Sequence, residues 1–421
     1  MKVLVIGGGG REHAVVKKLR ESPRVTELFC APGNGGIAQD AECVNIKASD
    51  VKGVVDFAVR EQIGLVVVTP DDPLMLGMVD ALAQAGIRAF GPVKRAAEIE
   101  GSKVFAKDLM KKYHIPTAGY EVFDDPGAAI DYIGSRGNYP AVIKADGLAL
   151  GKGVVIAQDE EQAQEALHSI MEDKIFGASG NRVVVEEFLE GPEVSVLAFT
   201  DGKTLMPMVS SKDHKRALDG DRGPNTGGIG TISPNPFYTP QIAAECMKTI
   251  FMPTVTAMNA EGRAFSGCLY FGLMLTKDGP KVIEYNSRFG DPETQVVLPR
   301  LKTDLLEILE AVIDGRLDQI RIEWDDGAAA CVVAASGGYP GKYRTGIEIT
   351  GLEQAGAMEG VTIFHAGTKH EDGRLVTSGG RVLGVTAVAG TLGEALERAY
   401  RAADQIHFDG IFYRHDIGRA E

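Results

Sequence analysis

The sequence predicts a multidomain protein of α/β and α+β class: an N-terminal Rossmann-like parallel-sheet domain, a central domain of mixed strands and helices, and a small C-terminal α+β domain. Three observations carry that expectation. The chain has 421 residues, and at about 150 residues per domain that length suggests roughly three domains. Its first hundred residues alternate short β-branched runs with helical stretches, the pattern of parallel βαβ units. Later strands come instead as a hairpin and as a terminal cluster followed by one capped helix.

The elements follow in chain order. Residues 3–6, Val-Leu-Val-Ile, form a first strand; with one lysine before it and glycines straight after, the segment reads as a strand and not as a secretory signal. Helix 12–21, strand 65–68, helix 75–85 and strand 88–90 complete the first domain. Ser102 caps a helix running through Lys112. Strands are expected at 140–145 and 183–188, with an acidic amphipathic helix at 160–171 between them. Strands 269–276 and 281–285 flank Lys277-Asp278-Gly279-Pro280, a hairpin with a four-residue loop. After Trp324-Asp325-Asp326-Gly327 come strands 328–335, 362–365 and 382–389, and Thr391-Leu392-Gly393-Glu394 is a capping-box signature for a helix through Ala403. The expected domain limits are 1–102, 103–325 and 326–421.

Composition narrows the class of function. Hydrophobic residues make up 44% and charged residues 24%, and no apolar run approaches the ~20 residues that span a bilayer. The net charge of −14 leaves no basic footprint for nucleic acid or an anionic membrane. Any anionic ligand must be held by local positive groups, and the expected partners are small molecules. The five cysteines are odd in number and scattered, without a C-x-x-C pair; they read as reduced core residues of a cytoplasmic protein. Glycine stands out, with 52 residues, about 12% against a usual ~7%.

Gly7-Gly8-Gly9-Gly10-Arg11-Glu12-His13 follows the first strand and opens a helix, where backbone N–H groups suit either a phosphate or a merely tight turn. The dinucleotide fingerprint fails, because its third glycine falls at Glu12. Lys144-Ala145-Asp146-Gly147-Leu148-Ala149-Leu150-Gly151-Lys152-Gly153 misses the P-loop spacing by one residue and has Gly153 where a hydroxyl would hold metal. Two lysines on a glycine loop still suit a triphosphate; a surface turn with solvated lysines is the alternative. The apolar strand ending in Glu186-Glu187-Phe188-Leu189-Glu190-Gly191-Pro192-Glu193 is in isolation a solvated strand end or a binding edge. The strongest local signal is Glu284-Tyr285-Asn286-Ser287-Arg288: if the strand reaches Arg288, a period of two puts Glu284, Asn286 and Arg288 on one face, two oxygen donors for a hard cation beside a guanidinium. An outward polar face with an internal salt bridge is the alternative. Asp213-His214-Lys215-Arg216 and Gly223-Pro224-Asn225-Thr226-Gly227-Gly228-Ile229-Gly230 form a long polar connection, of the kind that is usually functional or disordered.

Taken together, Gly101-Ser102-Lys103, the 144–153 loop, the 186–193 segment, the 224–230 loop and the 284–293 segment resemble the ATP-grasp ligases. More narrowly the chain resembles the phosphoribosylamine–glycine ligase (glycinamide ribonucleotide synthetase) family, through Gly-Gly-Arg-Glu-His-Ala at 9–14, Ala-Pro-Gly-Asn at 31–34, Asp-His-Lys-Arg at 213–216, Gly-Pro-Asn-Thr-Gly-Gly at 223–228, Arg-Phe-Gly-Asp-Pro-Glu-Thr-Gln at 288–295 and Phe-His-Ala-Gly-Thr-Lys at 364–369. The resemblance implies a central ATP-grasp fold with an inserted mobile lid at 120–192. It also implies ligation of glycine to 5-phosphoribosylamine at the expense of ATP, the second step of purine biosynthesis, with Mg²⁺ or Mn²⁺, in a monomer or weak homodimer.

Residue by residue, the resemblance makes Lys103 and Lys144 phosphate contacts, with Lys152 on the closing loop. Glu186, Phe188 and Leu189 match the adenine hinge, Glu193 the ribose acid, and Glu284 and Asn286 the metal ligands. Arg288 and Asn225, Thr226, Gly227 and Gly228 match groups around the γ-phosphate and the acyl phosphate, making Lys144 and Arg288 the catalytic pair. Gly8, Gly9, Gly10 and Arg11 are expected to hold the substrate 5′-phosphate, with Asp213 and Lys215 nearby and Asp291 among the substrate contacts.

Three departures from the family pattern stand out. Thr69-Pro70-Asp71-Asp72-Pro73-Leu74 carries an aspartate where the family usually has a glutamate, Leu150 replaces the usual alanine, and residues 269–276 hold no Asp or Glu for a third metal ligand. Two readings compete with this one: an ATP-grasp enzyme acting on another carboxylate such as bicarbonate, and a non-catalytic nucleotide-binding regulator, against which the retained Lys103, Lys144, Glu284, Asn286 and Arg288 argue.

Overall fold

Residues 1–149 and 153–419 are described by the computed structural model; Leu150 and Lys152, both singled out above, lie outside the described residues. In the N-terminal hundred residues, five parallel strands form one sheet in the order Glu42–Cys43, Glu27–Pro32, Lys2–Gly7, Leu65–Val68, Ala89–Phe90. Within the Lys2–Gly7 strand, Val3 to Ile6 form an unbroken apolar run because both faces are covered. Leu4 and Ile6 share a core with Val54, Phe57 and Leu82, whereas Val3 and Val5 share one with Val15, Leu19 and Leu305. The Glu27–Pro32 strand and the Val51–Arg60 helix carry no sequence expectation above. The single helix expected at 75–85 is corrected to two, Asp71–Met75 and Met78–Gln84, because Gly77 between them takes a left-handed φ of +85°.

Ser102 caps the Lys103–Lys112 helix, its hydroxyl oxygen accepting from the Phe105 N–H at 3.1 Å, a contact worth about 1 kcal/mol. Beyond it lie two four-stranded sheets. One is antiparallel, in the order Leu205–Pro207, Glu193–Asp201, Ser266–Thr276, Gly279–Asn286. Thr276 pairs with Gly279, so the hairpin loop is two residues long and not four. The last strand ends at Asn286, two residues short of the extent that would align Arg288 with it. The other sheet, in the order Tyr120–Phe123, Val183–Glu187, Ala141–Ala145, Val154–Ala157, has its own core of Ile133, Ile143, Leu167, Ile170 and Val185. The helix expected at 160–171 is α-helical over Glu160–Leu167 and continues as a π-helical turn.

The C-terminal sheet draws in strands from the central part of the chain. Its order is Lys212–Asp213, Gly230–Ser233, Ala328–Ala335, Arg381–Ala389, Val361–His365. The polar connection before Gly230 is not wholly irregular, since Arg222–Asn225 pairs with Arg216–Leu218. The 225–228 loop is thereby suspended beside the C-terminal sheet. The Leu392–Ala403 helix starts from Thr391, whose hydroxyl accepts from Glu394 N–H at 3.3 Å. No helix among the described residues is long and apolar enough to cross a membrane.

Candidate active site

A cluster of cations lies where the two four-stranded sheets meet. Lys144, buried on the Ala141–Ala145 strand, donates from Nζ to the Ile283 carbonyl at 3.0 Å and pairs with Glu186 Oε1 at 3.0 Å. Lys103, on the first turn of its helix, donates to the Gly147 carbonyl at 2.8 Å. That glycine segment is itself anchored: Asp146 Oδ1 accepts from Ser102 Oγ at 3.0 Å and Val104 N at 3.2 Å, and Oδ2 pairs with Arg182 at 2.6 Å. A carboxylate over a helix N-terminus is favourably placed in the helix dipole.

Glu284 and Asn286 share a face of the Gly279–Asn286 strand, as a period of two requires. Burial alone would raise the Glu284 carboxyl, but Lys215, Lys144, Lys103 and Arg288 outweigh it and hold the group below its ordinary value. Lys215 Nζ lies 3.2 Å from Glu193 Oε2 and 3.9 Å from Glu284 Oε1. Arg288 turns off the strand to pair with buried Glu100 at 3.0 Å and donates to Asn286 Oδ1 at 3.3 Å. Glu100 Oε2 also accepts from the Ser287 N–H and hydroxyl at 2.8 and 2.9 Å. One carboxylate and one amide oxygen ringed by four cations suit Mg²⁺, which commonly takes one or two protein oxygens and leaves other positions to water and phosphate. Among the described residues no group of three or more His, Cys, Asp or Glu could hold a metal by itself.

A second space, a cavity of about 370 Å³, opens on the glycine turn and is lined by Gly8, Gly9, Asn34, Asp291, Thr368 and Arg381, among others. A Cβ at Gly8 would lie 2.5 Å from the Gly33 carbonyl oxygen, so only glycine lets the two loops meet. Asn34 locks them: Nδ2 donates to Gly8 O at 2.9 Å and His365 O at 2.7 Å, while Oδ1 accepts from Gly36 N and Ile37 N, each at 2.9 Å. From the C-terminal sheet, Arg381 Nη1 donates to the carbonyls of Gly227 at 2.5 Å and Asp291 at 2.9 Å, and Nη2 pairs with Asp291 Oδ2 at 3.1 Å.

Three phosphoribosylglycinamide synthetase profiles match the chain in series: the N domain over residues 1–100, the ATP-grasp (A) domain over 101–294 and the C domain over 329–420. The chain belongs to the phosphoribosylamine–glycine ligase family. It is 50% identical over 417 residues to the ligase of Caldanaerobacter subterraneus subsp. tengcongensis, covering 99% of each chain. It is 51% identical over 418 residues to that of Halalkalibacterium halodurans, covering 99% of this chain and 96% of the relative. The crystal structure of the Thermotoga maritima ligase superposes with a TM-score of 0.87 at 35% identity, covering 99% of this chain and 100% of that one. The biotin carboxylase domain of Hydrogenobacter thermophilus 2-oxoglutarate carboxylase shares the fold, with a TM-score of 0.72 at 15% identity and 98% and 91% coverage.

In this member of the ligase family the residues expected to meet nucleotide and metal fall together, and Lys103, Lys144, Glu186, Glu193, Glu284, Asn286 and Arg288 lie in or beside the cation cluster. Phe188, just past the end of the Val183–Glu187 strand, is exposed, and Leu189 follows it in the same connection. Arg11 is turned away from the glycine-turn cavity, its guanidinium 2.6 Å from Glu12 Oε1 and 3.1 Å from the Phe289 carbonyl. Gly10 abuts Gln295. Lys215 sits in the cation cluster and not beside the glycine turn, whereas Asp213 packs against Gly228. Burial and then the Glu293 charge push Asp213 well above the carboxylate range, against Lys215 and Arg381. Thr226 Oγ1 donates to Lys215 O at 2.8 Å and accepts from Gly228 N at 3.0 Å, which fixes the loop after Asn225. Sequence reasoning missed Glu100, Lys107, Asp146 and Arg381 as site residues. Two of them had a signal: Asp146, inside the glycine loop already singled out, and Lys107, four residues after Lys103 and thus on one helix face.

Proposed function

We propose that this chain ligates glycine to 5-phospho-D-ribosylamine, giving glycinamide ribonucleotide, ADP and phosphate, the second step of de novo purine (IMP) biosynthesis. The observation that carries the reading is the full-length likeness to phosphoribosylamine–glycine ligases at about half identity, in a chain that keeps a cation cluster around two oxygen donors next to a separate cavity.

A carboxylate resists amine attack because its charge is delocalised and oxide leaves poorly. Glycine's carboxylate would therefore attack the γ-phosphoryl group of ATP, giving glycyl phosphate and ADP; the phosphoribosylamine nitrogen then displaces phosphate and forms the amide. Lys103, Lys144 and Arg288 compensate charge on the transferred group, and catalysis is positioning and electrostatic stabilisation. Lys152 on the glycine loop would add a further charge. Mg²⁺, or Mn²⁺ in its place, held by Glu284 and Asn286, would supply further neutralisation at the phosphates. Glu186 with the Phe188-Leu189 backbone would receive adenine, Glu193 the ribose hydroxyls, and the Asn225–Gly228 loop the acyl phosphate. The 5′-phosphate would lie on the backbone of Gly8, Gly9 and Gly10, with Arg11 supporting the turn from behind and Asp291 facing the ribosylamine. The 120–192 subdomain of the 103–325 ATP-grasp unit, acting as a lid over the nucleotide site, would keep water from the acyl phosphate, with 1–102 and 326–421 as the N- and C-terminal units. We further propose a cytoplasmic monomer or weak homodimer.

The deciding assay follows ADP release. Release that depends on both glycine and phosphoribosylamine supports the reading; release driven by bicarbonate without glycine overturns it in favour of a carboxylase.

A further inference from the structure

Lys107 has no part in the scheme above, yet it is the most buried cation near the nucleotide cluster, with 2% of its surface exposed. Its Nζ lies 2.8 Å from Glu186 Oε2 and donates to Thr117 Oγ1 at 2.8 Å; Thr117 in turn donates to the Val282 carbonyl at 2.7 Å. The other Glu186 oxygen is the partner of Lys144, at 3.0 Å. One carboxylate therefore stands between two ammonium groups, and the buried triad carries a net charge of +1. A buried ion costs several kcal/mol to desolvate, and an apolar side chain of similar volume is commonly as good for stability. Glu186 paired with Lys144 alone would make a neutral pair, cancelling at 3.0 Å the charge that Lys144 has to present to phosphate oxygens.

We propose that Lys107 is a positioning residue of the nucleotide subsite: by taking the second oxygen of Glu186, it leaves the Lys107–Glu186–Lys144 triad with a net positive charge that Lys144 presents to the triphosphate. This rests on the reading of that cluster as the ATP site. Lys107 touches no substrate on this account and acts through Glu186 and Lys144.

The surroundings supply a signature that a purely structural salt bridge lacks. Facing Lys107 are Glu186 and Glu187 on one strand, Lys144 on the next and the Tyr120 ring at 5.7 Å on a third; Glu187 is itself paired with Lys281 of the hairpin strand at 3.5 Å, and Lys103 and Lys111 lie along the helix of Lys107. Burial, with the Lys144 charge, outweighs the two glutamates and brings the Lys107 ammonium down to about 8. The group is charged at pH 7 and largely neutral at pH 9.

The test is calorimetric titration of the full-length protein with ATP at saturating Mg²⁺, without glycine or phosphoribosylamine, at pH 7 and pH 9, on wild type, Lys107→Met and Lys107→Arg. If the Lys107 charge is worth about tenfold in affinity, the wild-type Kd rises about fivefold from pH 7 to pH 9. Lys107→Met should then bind about tenfold more weakly at pH 7 and show a smaller rise than wild type, with Lys103, itself lowered by burial, left to titrate. Lys107→Arg, with a charge that does not titrate, should bind within about threefold of wild type at pH 7 and weaken less than wild type by pH 9, so that it binds more tightly than wild type there. A wild-type Kd that is flat from pH 7 to 9, or a Lys107→Met protein that binds and titrates like wild type, overturns the inference while leaving the ATP site intact. Wild type that binds no ATP overturns the site reading itself. Should Lys107→Met fail to fold, the wild-type and Lys107→Arg curves still decide.

Discussion

Replacing Arg381 by alanine tests whether the C-terminal sheet is part of the reaction centre or only its neighbour. Arg381 makes three bonds through Nη1, to the carbonyls of Gly227 at 2.5 Å, Asp291 at 2.9 Å and Gly228 at 3.3 Å, and one ion pair through Nη2, to Asp291 at 3.1 Å. The two side chains are 21% and 16% exposed. That places the pair nearer the buried case, where stranding one partner costs ~3–5 kcal/mol, than the exposed case of ~0–1 kcal/mol; the lower end, about 3 kcal/mol, suits their partial exposure. If the whole of that loss falls on the placement of Asp291 and the 225–228 loop, kcat/KM for phosphoribosylamine drops about 150-fold. Steady-state kinetics with ATP and glycine saturating measures it, and the ATP Kd from calorimetry should stay within about threefold, since Arg381 does not touch the cation cluster. Adding Asp291→Asn to Arg381→Ala should cost little more than the single change, because the stranded charge is removed with it. Two results refute the reasoning: a kcat/KM within threefold of wild type, or an ATP Kd that weakens as much as kcat/KM, which would mean general loosening.

Other expectations follow from the same geometry. Glu284→Ala should abolish ADP release, by at least about 10³-fold, with an unchanged circular dichroism spectrum; wild-type turnover at saturating Mg²⁺ would refute the metal assignment. Asn34→Ala removes four hydrogen bonds, at about 1 kcal/mol net each, and should raise the phosphoribosylamine KM by tenfold or more while sparing the ATP Kd; equal changes in both would contradict two separate subsites. Acidification should weaken the fold, since burial holds His365 at about 3 and His214 at about 4, both below the ordinary 6.5. Below pH 6.5 the unfolded chain then binds protons that the folded chain refuses, so stability falls as pH drops, by about 2 kcal/mol per histidine at pH 5. Denaturant midpoints at pH 7 and pH 5 measure this, and equal midpoints would show that these imidazoles are not held neutral.

What the sequence disclosed divides along the range of the interactions involved. Glu284 and Asn286 were legible as co-facial donors because a strand's period is local, and Ser102 and Thr391 were legible as caps because a cap closes within three residues. The break at Gly77 and the two-residue turn before Gly279 were missed although they too are local, since a glycine does not announce whether its φ is used. Glu100, the ion-pair partner of Arg288, and the partners of Arg381 had no signature of any kind. Arg381 reaches loops 154 and 90 residues away, and Glu100 meets Ser287 across 187 residues; nothing in a linear pattern pairs them.

The shortened acid at Asp71 shows what such long-range pairing does to a residue-by-residue comparison. Asp71 lies in the first turn of its helix and is close enough to act on both Glu100 and Arg288, raising the carboxyl of the first and the guanidinium of the second. Yet the ion pair to Arg288, at 3.0 Å, belongs to Glu100, whose own carboxyl is pushed up by burial and held down by that guanidinium. The ion pair with Glu100 therefore keeps Arg288 partnered without any contact from position 71. Coulomb attraction at an effective dielectric of ~20 falls only as the inverse of distance, so Asp71 acts on Arg288 without being its ion-pair partner. A substitution that looks like a lost ligand in the sequence is, in the fold, a change in the balance between two acids competing for one arginine.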